Sequence, residues 1–216
     1  MSTTKRGLFI TFEGPDGCGK STQLRLLAAR LREAGQSVVE TQEPGGTAIG
    51  NQIRRILLDP ANKELGPTAE LLLMFAARAQ NVDQTILPAL AQGQTVLADR
   101  FTDSSLVYQG VGRGLGRELV YDVDRIACRG LVPDLTLVVD IEVETGLARS
   151  MRRNDAAEHK ETRFEEQSVG FHRQVRLAYQ QLAAEESNRV HLIDGSGSKE
   201  QVAKLIWAAV QERLQK

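Results

Sequence analysis

The run Gly14-Pro15-Asp16-Gly17-Cys18-Gly19-Lys20-Ser21 fits the pattern G-x-x-x-x-G-K-S/T, and it stands between an apolar, β-rich stretch and a helical one. Glycines at this spacing let the backbone curl so that successive N–H groups point inward. The helix that follows adds the positive end of its dipole to the nest. Such a loop cradles phosphate, and it calls for a strand–loop–helix unit inside an α/β fold. There Lys20 is expected to reach the β- and γ-phosphates of a nucleotide. Ser21 is expected to offer its hydroxyl to Mg²⁺, a hard cation that prefers oxygen. The loop alone does not separate a kinase from a GTPase, an ATPase motor or a regulatory nucleotide binder.

Further β-rich runs at Gly7 to Glu13, Ser37 to Thr41, Thr95 to Asp99, Leu135 to Ile141 and Val190 to Asp194 alternate with longer helical patterns, as βαβ crossovers require. The expectation is α/β: a P-loop NTPase fold with a five-stranded parallel sheet flanked by helices on both faces and a mobile lid. Leu24, Leu27, Ala28 and Leu31 recur at helical spacing, as do Val202, Leu205, Ile206, Ala209, Val210 and Leu214, so both sets read as helix faces packed on the sheet. Asn154 to Thr162 is polar and breaks a helical region between Gly146 to Arg153 and Phe164 to Glu186. It reads as a flap within a lid segment at about 149–164, inserted in a single domain spanning 1–216.

With 216 residues, 41% of them hydrophobic, the chain has enough apolar material for one full core. A formal net charge of -1, with both signs interspersed, supplies no global field for a nucleic acid polymer or an anionic membrane surface. The two cysteines, Cys18 and Cys128, form no disulfide or zinc pattern. Leu8 to Phe12 is too short for a signal-peptide core, and the expected location is cytoplasmic.

Asp99-Arg100-Phe101 ends the third strand and leads into Ser104, Ser105, Tyr108 and Gln109, while Glu43-Pro44-Gly45-Gly46-Thr47 follows the second. Together with the glycine-rich loop, Pro133-Asp134-Leu135 and Ile193-Asp194, these runs resemble thymidylate kinases of the bacterial type, members of the P-loop nucleoside monophosphate kinases. The resemblance implies transfer of the γ-phosphoryl group of ATP to dTMP, giving dTDP and ADP for dTTP synthesis, with Mg²⁺ as cofactor. It implies that Gly14 through Ser21 bind ATP, that Lys20, Asp99, Arg100, Arg149, Arg152 and Arg153 are catalytic, and that Ser21 and Asp99 hold the metal, Asp99 through water. Substrate contacts are implied for Asp16 at the deoxyribose 3′-hydroxyl, for Arg54 at the acceptor phosphate, for Arg100, whose fork of donors can grip phosphate, and for Glu43. Ser104, Ser105 and Gln109 would line the base pocket, with Tyr108 filling the space of a ribose 2′-hydroxyl.

Viewed alone, Phe75 behind Leu71, Leu72 and Leu73 reads as core; the resemblance instead implies that it stacks on thymine, with Arg78 at the base edge. Arg149, Arg152 and Arg153 share one helical face, with Arg163 beyond the flap. They read either as a solvated face pairing with Glu158, Glu161, Glu165 and Glu166 or as lid arginines that approach the donor phosphates. Some relatives carry an arginine in the loop, where this chain has Gly17. The thiol of Cys18, close to phosphate and a helix N-terminus, is expected to be open to oxidation. Homodimers are implied, with Leu119, Val123 and Ile126 as a stripe that faces either a partner or the core. Two alternatives compete: another small P-loop nucleotide or deoxynucleoside kinase, and a GTPase-like switch. Against the switch, Asn62-Lys63-Glu64-Leu65 fails the guanine-reading N-K-x-D, and Asp194 to Gly197 lies too near the C-terminus for a γ-phosphate sensor.

Overall fold

The computed structural model describes residues 6–155 and 161–214. The core of the expected flap at 156–160, with Glu158, lies outside them. Five parallel strands, β1 (Phe9–Glu13), β2 (Val38–Gln42), β3 (Thr95–Asp99), β4 (Leu135–Asp140) and β5 (Val190–Asp194), form one sheet in the order β2-β3-β1-β4-β5. Every residue of β1 is buried, as in a central strand covered on both faces, while the edge strands β2 and β5 are only partly so.

Alternation along β1 assigns the two faces. Ile10 and Phe12 join Leu24, Leu27 and Leu31 of α1 (Lys20–Glu33) and Val202, Ile206 and Val210 of α9 (Lys199–Leu214) in one cluster. Phe9 points the other way, into a cluster built with α3 (Pro67–Asn81), α4 (Leu87–Ala91) and α6 (Arg117–Cys128). A third cluster packs α8 (Val169–Glu185) against Val138 and Val190. Each large aliphatic side chain so buried is worth about 1.5–3 kcal/mol. The expected C-terminal stripe is wider than the buried one: Leu205 and Leu214 are exposed, because the sheet covers only about a third of a helix's circumference.

Two π-helical turns interrupt the regular pattern, Val82–Ile86 between α3 and α4, and Leu106–Gly112 after the short α5 (Thr102–Ser105). Because all strands run the same way, the loop after β1, Glu43 after β2, Arg100 after β3 and Gly195 after β5 meet at one sheet edge. β1, which carries the loop, is hydrogen-bonded to both β3 and β4, where chain connections leave toward opposite sides. The remaining helices are α2 (Ala48–Leu58), which packs on α3, and α7 (Val143–Asp155), which packs on α8.

Candidate active site

The glycine-rich loop owes its shape to backbone conformations that side chains resist: Gly14, Gly17 and Gly19 have φ of 129°, 73° and 101°. Gly17 is also confined by its neighbour. A Cβ there would stand 2.0 Å from the carbonyl oxygen of Gly146 in α7, so no side chain fits at the position where some relatives place an arginine. Lys20 is buried, and its Nζ donates to the carbonyl oxygens of Gly14 at 3.0 Å and Pro15 at 2.9 Å.

A cavity of about 690 Å³ opens from this loop. Asp16 through Ser21 form one wall, Glu43, Arg54 and Arg78 another, and Arg100, Ser104, Ser105, Tyr108 and Gln109 a third. Gly195, Gly197 and Lys199, which follow β5, line it as well. Gly14 and Pro15 are not on the wall; their carbonyls hold Lys20.

Ser21 Oγ donates to Asp99 Oδ2 at 2.5 Å, which sets two hard oxygen donors side by side at the mouth of the loop. Among the described residues no group of three or more His, Cys, Asp or Glu side chains could hold a metal ion. Such a sparse donor pair suits Mg²⁺, which takes one or two protein ligands and fills its shell with water and phosphate oxygen.

Arg100 occupies the left-handed region, φ 71°, a conformation that costs a non-glycine residue about 1 kcal/mol or more. Glu13 supports that turn. Its fully buried carboxylate accepts from the backbone N–H of Phe101 at 2.8 Å and of Ser104 at 3.2 Å, from Ser104 Oγ at 2.5 Å and from Tyr179 Oη at 2.8 Å. Burial, followed by the negative charge of Asp103, pushes the Glu13 carboxyl up to about 7 against the pull of Arg100. Arg100 then reaches Asp16, Ser104 and the hydroxyls of Tyr108 and Tyr179. Burial opposes ionisation of Asp16, but Arg100, Lys20 and His172 outweigh it and hold its carboxyl below the usual range.

On α3, Arg78 is 2% exposed and donates from Nε to Glu43 at 2.5 Å and from Nη2 to the carbonyl of Phe101 at 3.0 Å. Its Nη1 is buried with no partner among the described residues, although the side chain lines the cavity. Glu43 is held in turn by Asn81 Nδ2 at 3.1 Å.

Residues 12–206 match the family described as thymidylate kinase. The chain is 50% identical over 208 residues to the thymidylate kinase of Trichlorobacter lovleyi, covering 96% of this chain and 98% of that one. It is 51% identical over 210 residues to that of Pelobacter propionicus, covering 96% of each. The crystal structure of the Ehrlichia chaffeensis thymidylate kinase superposes with a TM-score of 0.76 at 30% identity, over 95% of this chain and 99% of that one. The chain belongs to the thymidylate kinase family.

Against the thymidylate kinase pattern, several side chains stand elsewhere than the sequence led us to expect. Phe75 is off the cavity wall: 2% exposed, it lies in the core cluster beneath β1 and β3, and its ring supports the Arg78 guanidinium at 4.4 Å. Met74, one position earlier and a full turn before Arg78, lines the cavity instead. Of the helix α7 arginines, Arg149 and Arg153 line the cavity, whereas Arg152 projects to solvent off that wall. Arg163 faces inward and is buried, donating to Glu70 at 2.6 Å and to the carbonyl of Leu57 at 2.5 Å. Arg54 does line the cavity, where Glu161 takes it through two bonds at 2.9 and 2.6 Å. Ser104 binds Glu13 and supports Arg100 from behind. Cys18 is 4% exposed and packs among the α1 core residues while lying on the cavity wall, so little of its surface is open to an oxidant.

Glu13, Glu70, Tyr179, Leu58 and Phe164 also belong to the site or its support, and none of them stands in a motif. Glu13 had a signal: an acid closing an otherwise apolar strand directly before the loop must find partners inside the protein. The apolar wall of Leu58, Met74 and Phe164 had none, since each looks like ordinary core in sequence.

Proposed function

We propose that the wall formed by Arg78, Met74, Ser105, Tyr108 and Gln109 holds the thymine of dTMP, while the glycine-rich loop and the Gly195–Lys199 end hold ATP. As a thymidylate kinase the chain transfers the γ-phosphoryl group of ATP to dTMP, giving dTDP and ADP. The observation that carries the base assignment is Arg78, whose side chain lines the cavity and whose buried Nη1 has no partner among the described residues. A buried donor left unpaired costs about 1–3 kcal/mol, and the C4 carbonyl of thymine satisfies it.

The acceptor phosphate is already an anionic nucleophile, so the chemistry needs no strong general base. It needs two polyanions aligned and their charge neutralised as it spreads over the transferring group. Lys20, Arg100, Arg149 and Arg153 supply positive charge from several sides, contributions that reach about 10³–10⁵ in rate for a single arginine. Ser21, and Asp99 through water, would hold Mg²⁺, which would supply further positive charge against the phosphates. Arg54 receives the acceptor phosphate in exchange for Glu161. Asp16 meets the 3′-hydroxyl, and the Tyr108 ring leaves no room for a 2′-hydroxyl. Closure of the lid at about 149–164 excludes water, which otherwise competes as acceptor. The chain works as one domain in the cytoplasm, where its two free cysteines stay reduced. It pairs as a homodimer through the neighbouring helices α3 and α6, whose Leu72, Leu119 and Ile126 are exposed while Val123 packs on its own core.

The test is steady-state ADP production with ATP, Mg²⁺ and each of dTMP, dUMP, UMP, dCMP, AMP and GMP. The wild type is expected to prefer dTMP, and Arg78→Ala to lose about 10²-fold or more in kcat/KM for dTMP, since a site built to hydrogen-bond rejects a mismatch strongly. An Arg78→Ala enzyme with an unchanged profile overturns the assignment of the base wall.

A further inference from the structure

Gln109 sits in the π-turn Leu106–Gly112, 1% exposed and on the cavity wall. Its Nε2 donates to Glu70 Oε1 at 2.8 Å. A carboxylate only accepts hydrogen bonds, so this bond decides which end of the amide is which. The nitrogen points to α3 and the oxygen is left for the cavity.

Glu70 is itself clamped. Fully buried at the first turn of α3, it accepts from Arg113 Nε at 3.2 Å and Nη2 at 3.1 Å, and from Arg163 Nη2 at 2.6 Å. Arg113 is tied further to Gln167 and Arg163 to the carbonyl of Leu57. The carboxylate therefore cannot swing away, and inverting the Gln109 amide would set oxygen against oxygen in a buried site.

Two groups on lining residues are then available to a bound base: the Nη1 donor of Arg78, buried and without a partner among the described residues, and the Oε1 acceptor of Gln109. Thymine presents a carbonyl at C4 and an N–H at N3, which match both. Cytosine presents an amino group at C4 and a bare N3, which mismatch both. We propose that Glu70 is a positioning residue for base specificity: by locking the Gln109 amide it sets discrimination of thymine against cytosine. This rests on the reading of Arg78 and Gln109 as the base wall.

Glu70→Gln tests it, because a carboxamide at 70 accepts or donates and frees Gln109 to invert. The ratio of kcat/KM for dTMP over dCMP is expected to fall about 10-fold or more, with the dCMP value rising. Glu70→Asp, which keeps the charge between Arg113 and Arg163 while withdrawing the oxygen from Gln109, is expected to shift the ratio the same way and gives the readout if Glu70→Gln does not fold. A purely structural role lowers both substrates together; an unchanged ratio in whichever of the two variants folds overturns the proposal. Calorimetric titration of the wild type with 3-methyl-dTMP separates the levels. Rejection of that analogue alongside unchanged variant ratios removes the role of Glu70 alone, whereas binding equal to that of dTMP removes the base wall and the proposal with it.

Discussion

Met74 and Phe75 are adjacent on α3, yet the helix turns them about 100° apart, so one meets the cavity and the other the core. Phe75→Ala is expected to cost about 3–5 kcal/mol of unfolding free energy by chemical denaturation, the usual loss for an aromatic removed from a core. Met74→Ala is expected to lower kcat/KM for dTMP about 10-fold while the melting temperature stays nearly constant. The reverse pattern would return the stacking role to Phe75. Glu13 makes a different prediction. Its folded pKa of about 7 lies above the ordinary 4.5, so the folded chain holds this proton more tightly than the unfolded one. Its contribution to stability is therefore complete below about pH 4.5 and declines as pH rises to about 7. Measured against Glu13→Gln, in which no proton is exchanged, the wild type should lose about 3 kcal/mol of relative stability across that range. A stability gap that does not move with pH would show that Glu13 titrates normally.

At the scale of elements, α7 presents Arg149 and Arg153 to the cavity and Arg152 to solvent, a division set by one helical turn. Single alanine substitutions at 149 and 153 are expected to lower kcat at least 10²-fold with thermal stability retained, and Arg152→Ala to stay within about twofold in a single-turnover assay. Equal losses at all three would mean that the helix turns in the working enzyme. The sequence showed that a basic face exists beside the flap; it did not show the phase of that face, because Arg163 reads like the other three and is in fact spent on Glu70. The strands were legible to within two residues because β1, β3 and β4 are apolar runs buried on both faces, and the edge strands β2 and β5 stand as short β-rich runs between longer helical patterns. The π-turn at Leu106–Gly112 was not. Its extra residue per turn carries Tyr108 and Gln109 inward together, and no local composition marks such a turn.

For the molecule as a whole, the parallel sheet gathers the ends of β1, β2, β3 and β5 at one edge, and that convergence is what turns scattered motifs into a single cavity. The motifs themselves were readable. Their pairings, such as Glu13 with Tyr179 across 166 residues of chain, follow only from tertiary packing. The exposed apolar side chains on α3 and α6 predict that the chain sediments as a dimer and that Ile126→Glu, at a position 82% exposed, shifts it to a monomer without unfolding it. Sedimentation of both forms as monomers would remove the dimer. We propose that one continuous cavity holds both nucleotides end to end, with their phosphates meeting at Lys20 and Arg100. Inhibition by an adenosine and a thymidine joined 5′ to 5′ through a polyphosphate puts this arrangement to the test. One molecule is expected to bind per chain, competitive with both ATP and dTMP; competition with only one of the two substrates would rule out the end-to-end arrangement.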